Sequence, residues 1–308
     1  KDIIEKAWMS LEEKKDFRNA LKINFVDFWS GFDVVHNFIV ELLFSRYKIQ
    51  ISDEPDILFC SHFGDSHKNY VNCKKVFVIT EVKPFGRSKY DYAIGYPYMK
   101  DKRFFHYNLY APQNISSIQD RRRFSSISFA QRKFCNFVYS NETWGGGAGL
   151  RKQFCIELSR YKQIDCPGNV LNNMKNIILP RQNVNWQDSK KAFLEQYKFT
   201  IACENHRVDG YTTEKLYDPL GAGSIPIYWG NPLIGKEIDS EAFINCNDFD
   251  NDFKAVIKRV KEVDEDDELY MYMLQKSPFR ETYDSGFKKL ASFLDNIIDS
   301  YRIDLDSN

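Results

Sequence analysis

One segment, residues 199–230, constrains the possible folds of this 308-residue chain more than any other. Its sequence is FTIACENHRVDGYTTEKLYDPLGAGSIPIYWG. Lys198 to Cys203 has the apolar, β-branched pattern of a strand. Thr213 to Leu220 predicts a helix that ends at glycines, and Ser224 to Trp229 predicts a second strand. Because strands joined by a crossover helix build a parallel sheet, the segment predicts an α/β fold.

The first third of the chain shows a similar alternation of strands and helices. Lys22–Trp29 and Asp56–Cys60 are short apolar runs bounded by polar residues, and the pattern of Val34–Phe44 between them is helical. Lys75–Thr80 and Asp91–Gly95 predict two more strands. These patterns indicate a second α/β unit in the amino-terminal part of the chain.

The length favours two domains, since one domain typically has roughly 100 to 200 residues. The glycine run Gly145–Gly149 breaks regular structure, and we place the boundary there. This predicts an amino-terminal domain of residues 1–148 and a carboxyl-terminal domain of residues 149–308. The last helix, predicted over 286–301, has one apolar face and is expected to pack along the domains. A cleft between two domains is where we expect the chemistry.

The charge balance argues against nucleic acid as a partner. Lys plus Arg number 43 and Asp plus Glu number 43, so the chain has no overall basic field. The basic cluster Arg121–Arg123, interleaved with Phe124, Phe129 and Phe134, is the competing pattern. We predict no nucleic-acid partner. Oligomeric state stays open.

Cysteine usage predicts a cytoplasmic protein. The 7 cysteines include no CxxC pair and are interpreted as reduced core residues. Two glycosylation sequons, at Asn114 and Asn141, keep a secretory alternative open. We find no apolar run near the roughly 20 residues that span a bilayer and no signal peptide, although a leader could precede Lys1.

The richest group of polar side chains lies where the first strand of the opening segment meets its helix. Glu204, Asn205 and Tyr211 fall in the predicted loop, and Glu214 and Lys215 in the first helical turn. Ligands of open parallel sheets bind at strand carboxyl ends, and a helix amino terminus offers N–H groups to a phosphate. Lys215 adds a charge, while Glu214 can accept from ribose hydroxyls or face a sugar carbon that becomes cationic. The set suits a sugar diphosphate; the alternative is a solvated helix face.

This string closely resembles the donor motif of the bacterial-type α-1,3-fucosyltransferases. The family pattern runs from Glu-Asn through Gly-Tyr-x-Thr-Glu-Lys to Ile-Pro-Ile-Tyr-Trp-Gly. Here these elements are Glu204–Asn205, Gly210–Lys215 and Ile225–Gly230. The match is long and has no gap.

Two flanking blocks extend the resemblance over most of residues 76–250. Val76–Gly95 is similar to the acceptor-side block in which a strand ends in the carboxylate proposed as catalytic base, which matches Glu81. Phe137–Leu158 is similar to the segment in which Ser-Asn precedes an arginine, which matches Arg151. The alternatives for that arginine are Arg160 and Arg181.

The resemblance implies a GT-B fold, in which two Rossmann-like domains face each other across a cleft. The amino-terminal domain would bind the acceptor and the carboxyl-terminal domain GDP-fucose. The implied reaction is inverting transfer of L-fucose from GDP-β-L-fucose to the N-acetylglucosamine or glucose unit of an N-acetyllactosamine- or lactose-type oligosaccharide. The linkage would be α-1,3, with α-1,4 left open. The enzyme would work in the cytoplasm, with peripheral association at the inner face of the bacterial membrane as a further option.

The resemblance also implies roles for single residues. Glu81 would be the general base, and Glu214 would contact the ribose or the transition state. No metal is expected to be essential, because Arg151 and Lys215 would neutralise the departing diphosphate. The donor-binding residues would be Arg151, Asn205, Tyr211, Glu214 and Lys215.

Two other functions remain as alternatives. Asp248-Phe249-Asp250 is a DxD string, typical of metal-dependent glycosyltransferases that use another nucleotide sugar, although a solvated loop also explains it. The other alternative is a non-catalytic nucleotide- or carbohydrate-binding protein, which would not need Glu81. The histidines show no metal-ligand spacing, and His206 is a candidate donor-loop contact. The run Gly145–Gly149 lacks the Gly-Lys-Ser/Thr of a P-loop and is predicted to be flexible.

Overall fold

The computed structural model describes residues 20–84, 86–110, 118, 131–143, 145–174, 186–279 and 283–306. The chain divides into two compact units. The first contains the residues up to Leu109 together with those from Asp284 onwards, and the second is Tyr110–Tyr283. Each unit has its own parallel sheet and its own hydrophobic core. The described helices include none that is both long and apolar enough to cross a membrane.

The first unit is built on a sheet of six described strands, and every pairing in it is parallel. The strands are β1 Leu21–Val26, β2 Ile49–Ile51, β3 Ile57–Cys60, β4 Lys74–Ile79, β5 Tyr92–Gly95 and β6 Phe104–His106. Their order is β2-β1-β3-β4-β5-β6. Helix α1, Phe38–Phe44, begins where the side chain of Asn37 accepts from two backbone N–H groups at 3.1 Å.

The second unit has a sheet of five described strands, again all parallel. They are β7 Lys133–Asn136, β8 Ile164–Asp165, β9 Tyr197–Cys203, β10 Ile225–Trp229 and β11 Ile244–Asn245. Their order is β11-β10-β9-β7-β8. The central strands β9 and β10 are almost wholly buried, as expected where helices cover both faces of a parallel sheet.

The described helices of the second unit lie between these strands or follow the last of them. They are α2 Gly146–Leu158, α3 Trp186–Leu194, α4 Glu214–Ala222, α5 Phe253–Glu265 and α6 Asp267–Gln275. Helix α4 ends at Gly223, which has a φ of +69° and donates its N–H to the carbonyl of Leu220. A left-handed residue at this place is the usual helix stop, and glycine adopts it without strain.

The last helix, α7 Tyr283–Asp306, belongs to the first unit. Its buried face joins the core formed by β1, β3 and β4, as the predicted apolar stripe requires. The buried side chains that form this face are Leu290, Ala291, Leu294, Ile297 and Ile298.

The α/β class and every strand and helix predicted above are confirmed, with ends shifted by a few residues. The predicted domain boundary at 148/149 is wrong. Strand β7 precedes that point yet pairs in parallel with β9, and a strand belongs to the unit that satisfies its backbone hydrogen bonds. The last helix was placed in the carboxyl-terminal domain, whereas its apolar face completes the first core.

Candidate active site

The second sheet reverses its strand order between β7 and β9, so the chain leaves these neighbouring strands in opposite directions. In open parallel sheets, ligands bind at such a reversal, outside the carboxyl ends of the strands. The segment after β7 leads to α2, and the segment after β9 leads to α4. The donor motif predicted from sequence therefore lies at the place where the topology expects a ligand.

The first residue after β9 is Glu204, a carboxylate with 0% of its surface exposed. One of its oxygens accepts from the backbone N–H of Thr213 at 2.7 Å, and the other from the Thr213 hydroxyl, also at 2.7 Å. The ammonium of Lys215 is 3.6 Å from the second oxygen. Burial raises the pKa of Glu204, and Lys215 and Thr213 oppose that shift. Glu204 thus ties the end of β9 to the start of α4.

The first turn of α4 concentrates charge. Thr213 caps the helix, and Lys215 Nζ donates to the Thr213 hydroxyl and to Glu214 Oε1, both at 3.1 Å. Burial opposes charge on both ionised groups, but the pair outweighs it, so the pKa of Lys215 is raised and that of Glu214 is lowered to about 2. Lys190 also lowers the pKa of Glu214. Since the Lys215 side chain is still 15% exposed, a fixed cation faces the solvent beside the helix terminus.

Arg151, on α2, is buried with 1% of its surface exposed. Its guanidinium donates to Asn205 Oδ1 at 2.8 Å and to the carbonyl of Asn141 at 2.7 Å. It also stacks over the ring of Tyr139 at 4.0 Å. The structure therefore brings Arg151 to the loop after β9, where it holds Asn205. The alternative residue Arg160 is exposed, and Arg181 lies outside the described residues.

The glycine run is explained by close packing rather than by the predicted flexibility. Helix α2 begins within the run, at Gly146, and its start lies directly against the loop after β9. A Cβ on Gly147 would lie 2.0 Å from the carbonyl oxygen of Glu204, and one on Gly145 would lie 2.3 Å from that of Asn205. Gly147 N–H donates to the Asn205 carbonyl at 3.0 Å. Only glycine lets the helix approach this closely.

Asn231, which the sequence analysis missed, anchors the other side of the loop. It is fully buried just after β10. Its side chain accepts from Gly210 N–H at 2.8 Å and donates to the Thr212 hydroxyl at 3.1 Å. These bonds fix the loop on either side of Tyr211, which is buried. The sequence Trp-Gly-Asn shows an amide after a predicted strand. Its anchoring role could have been predicted only by knowing which loops meet in the fold.

Glu81 lies in the first unit, immediately after β4 and Thr80. The residue is half-buried, and its carbonyl accepts from Lys83 N–H at 2.9 Å. Burial raises the pKa of Tyr96, and the negative charge of Glu81 raises it further. The structure confirms the predicted placement of this carboxylate at a strand carboxyl end.

The DxD string, His206 and the basic cluster are the remaining features predicted from the sequence. The Asp248 carboxylate accepts from Asn245 Nδ2 at 2.8 Å, and Asp250 closes the same short turn in a left-handed conformation. Within the described ranges, no group of three or more His, Cys, Asp or Glu side chains could hold a metal ion. His206 follows Asn205 in the donor loop. The basic cluster Arg121–Arg123 lies outside the described residues.

Solved structures share this fold. The crystal structure of an α1,3-fucosyltransferase matches with a TM-score of 0.73 at 23% identity, covering 93% of this chain and 92% of that chain. A crystal structure of α1,3-fucosyltransferase with GDP-fucose matches with a TM-score of 0.70 at 24% identity, covering 90% of each chain. The fold, with its two parallel α/β units, is therefore of the GT-B type, as predicted.

Sequence comparison identifies the family. The family described as glycosyltransferase family 10 (fucosyltransferase) C-term matches residues 130–290, more than half of the chain, and the α-(1,3)-fucosyltransferase FucT N-terminal domain matches residues 23–112. The chain belongs to glycosyltransferase family 10, the fucosyltransferases. The predicted family resemblance is confirmed.

Two curated relatives show how far the likeness extends. The α-(1,3)-fucosyltransferase FucT of Helicobacter pylori is 27% identical over 95% of this chain, and the putative fucosyltransferase R654 of Acanthamoeba polyphaga mimivirus is 30% identical over 54% of it. The aligned part spans 65% of the length of the first relative and 28% of the second. Both likenesses agree with the family assigned from residues 130–290.

Proposed function

We propose that the protein is an inverting α-1,3-fucosyltransferase that transfers L-fucose from GDP-β-L-fucose to the N-acetylglucosamine or glucose unit of N-acetyllactosamine- or lactose-type oligosaccharides, with α-1,4 transfer as a second option. The observation that carries the proposal is the charged helix start at the reversal point of the second sheet. There, Thr213 and Glu214 hold the ammonium of Lys215 at the positive end of the α4 helix dipole. This combination suits a nucleoside diphosphate. The membership of the fucosyltransferase family points to the sugar.

In the proposed reaction, an acceptor hydroxyl attacks the anomeric carbon of fucose from the face opposite GDP. The new bond joins the acceptor oxygen to that carbon, and the bond to the diphosphate oxygen breaks with its electron pair leaving on GDP. The hydroxyl proton passes to Glu81, a general-base contribution of roughly a hundred- to ten-thousand-fold. One displacement converts the β donor into an α product.

Lys215 neutralises charge that grows on the departing diphosphate. Arg151 supports the same task through Asn205, which it holds at 2.8 Å, while direct contact with the diphosphate stays a prediction. Glu214 accepts from ribose hydroxyls or faces the oxocarbenium-like carbon, since its lowered pKa keeps it ionised. Tyr211 shapes the wall of the site. We propose that these groups suffice without an essential metal.

The test is incubation with GDP-fucose and a panel of type 1 and type 2 disaccharides, with and without EDTA. We expect fucosylation of type 2 acceptors that survives the chelator. Loss of activity in EDTA would favour the metal-dependent alternative that involves Asp248 and Asp250. Binding of GDP-fucose without turnover on any acceptor would favour a non-catalytic binding protein. A cytoplasmic location at the inner face of the membrane stays a prediction, which cell fractionation would test.

A further inference from the structure

A pair of exposed aromatic rings lies at the reversal point of the first sheet, outside the donor site. The first sheet reverses its order between β1 and β3, as the second does between β7 and β9. Trp29 follows β1 and Phe63 follows β3, and each has 42% of its surface exposed. Their ring centroids are 6.4 Å apart at an interplanar angle of 79°. Two neighbouring aromatic rings are thus exposed to solvent at the position where the strand order predicts a ligand. This arrangement indicates a binding surface.

A buried carboxylate fixes the two loops that carry these rings. The side chain of Asp27 accepts from the backbone N–H groups of Ser66 and His67 at 2.8 and 3.0 Å and contacts the His67 ring at 2.6 Å. Its carbonyl accepts from Phe63 N–H at 2.8 Å. Gly64 is required here, because a Cβ would lie 2.5 Å from Asp27 Oδ1. The rings are therefore held in place before any ligand arrives, which lowers the entropic cost of binding.

Lys83 connects the aromatic pair to Glu81. Its ammonium is 4.8 Å from the centroid of the Phe63 ring, a cation–π contact. Its backbone N–H donates to the Glu81 carbonyl at 2.9 Å. The rings and the proposed base thus belong to one surface of the first unit.

The chemistry of the rings selects the ligand. The negative face of an aromatic ring attracts the weakly positive C–H groups of a pyranose and does not favour a phosphate. Among the sugars of the proposed acceptors, galactose has an axial 4-hydroxyl, which leaves the C–H groups at carbons 3, 4 and 5 together on one face. Galactose is also the unit that does not react.

We propose that Trp29 and Phe63 form a stacking subsite for the galactose ring of the acceptor, with Lys83 beside it and Glu81 next to the reacting sugar. This inference rests on the proposed function and adds the residues that distinguish a disaccharide acceptor from a monosaccharide.

The decisive variants are Trp29→Ala and Trp29→Phe, with Tyr272→Ala as the matched control. Tyr272 is an exposed aromatic residue of the second unit. The KM values of N-acetyllactosamine, free N-acetylglucosamine and GDP-fucose would be measured for each variant. We expect Trp29→Ala to raise the KM of the disaccharide roughly tenfold, with the KM values of the monosaccharide and donor unchanged. Trp29→Phe keeps a ring and should retain most of the affinity, and the control should match wild type.

Three results would overturn the subsite: an unchanged disaccharide KM, an equal loss for the monosaccharide, or a raised KM for GDP-fucose, which would indicate a base-stacking role. Saturation-transfer NMR of lactose with wild-type protein needs no turnover and should saturate galactose protons 3 to 5 most strongly. The absence of fucosyl transfer by wild type would refute the proposed function instead. In that case the NMR result would still decide whether the rings bind galactose.

Discussion

The reversal points of the two sheets differ in chemistry although their strand orders are alike. In the second unit, the polar groups are ionic and close together: Glu204, Glu214 and Lys215 lie within one cluster at the start of α4. In the first unit, the aromatic rings of Trp29 and Phe63 are exposed to solvent. The shared topology gives each unit a position where a ligand can bind. The side chains at that position suit an anion in the second unit and an uncharged sugar ring in the first. We call the cluster of Glu204, Glu214 and Lys215 the donor edge, and the pair of Trp29 and Phe63 the aromatic edge.

The largest effect is expected from Glu81→Gln. The amide keeps the size of the side chain but cannot take a proton, so kcat should fall by roughly a hundred- to ten-thousand-fold. GDP affinity, measured by titration calorimetry, should not change, because the residue belongs to the first unit. Glu54→Gln, an exposed carboxylate of the same unit, is the control. Turnover near the wild-type level would remove Glu81 from the mechanism.

Gly147→Ala tests the packing that supports the donor edge. Its methyl group would collide with the backbone carbonyl of Glu204, which cannot move aside cheaply, so the free energy of unfolding should fall by about 3 kcal/mol. GDP binding should weaken as well. Gly146→Ala and Gly149→Ala are matched controls in the same helix, because their added methyl groups meet open space.

Those controls should be neutral or slightly stabilising, since alanine favours a helix by up to about 1 kcal/mol over glycine. Thermal and denaturant unfolding would measure all three variants. If Gly147→Ala behaved like its neighbours, the glycine run would be a flexible segment after all.

Lys215→Met tests the cation of the donor edge. Loss of one charge-assisted contact should raise the dissociation constant of GDP by about 10- to 100-fold and flatten its dependence on salt. The exposed Lys258→Met on α5 removes the same charge without touching the edge. The free energy of unfolding of Lys215→Met must also be measured, because the buried carboxylate of Glu204 would lose its neighbouring cation. Unchanged GDP binding would contradict the ionic character assigned to this edge.

The smallest effect at neutral pH concerns His62, which directly precedes Phe63 of the aromatic edge. Burial lowers its pKa to about 4, and the charge of Lys83 acts in the same direction. Between pH 6.5 and about 4, the unfolded chain therefore binds a proton that the folded protein does not, so stability falls as the pH falls. The slope from this one group is at most about 1.4 kcal/mol per pH unit. His62→Gln should flatten the melting temperature profile in that window, and an identical profile would refute the assignment.

Much of this architecture was predictable because local pattern and topology agree. The strands and helices around the donor motif follow from apolar runs, glycine stops and the Thr213 cap, and these signals are local. The role of Gly147 and Asn231 was not predictable, since each depends on a contact between segments far apart in the chain. The boundary error had the same cause: the pairing of β7 with β9 joins residues more than sixty positions apart.

The place of α7 in the first core has a consequence for synthesis. Leu290, Leu294 and Ile297 cover apolar side chains of the first sheet, yet they leave the ribosome only after all of the second unit. During translation, the first sheet therefore exposes the apolar face that α7 will later cover, although the second unit can already fold. A chain that ended after residue 283 would lack this helix and would leave the apolar face of the first sheet uncovered.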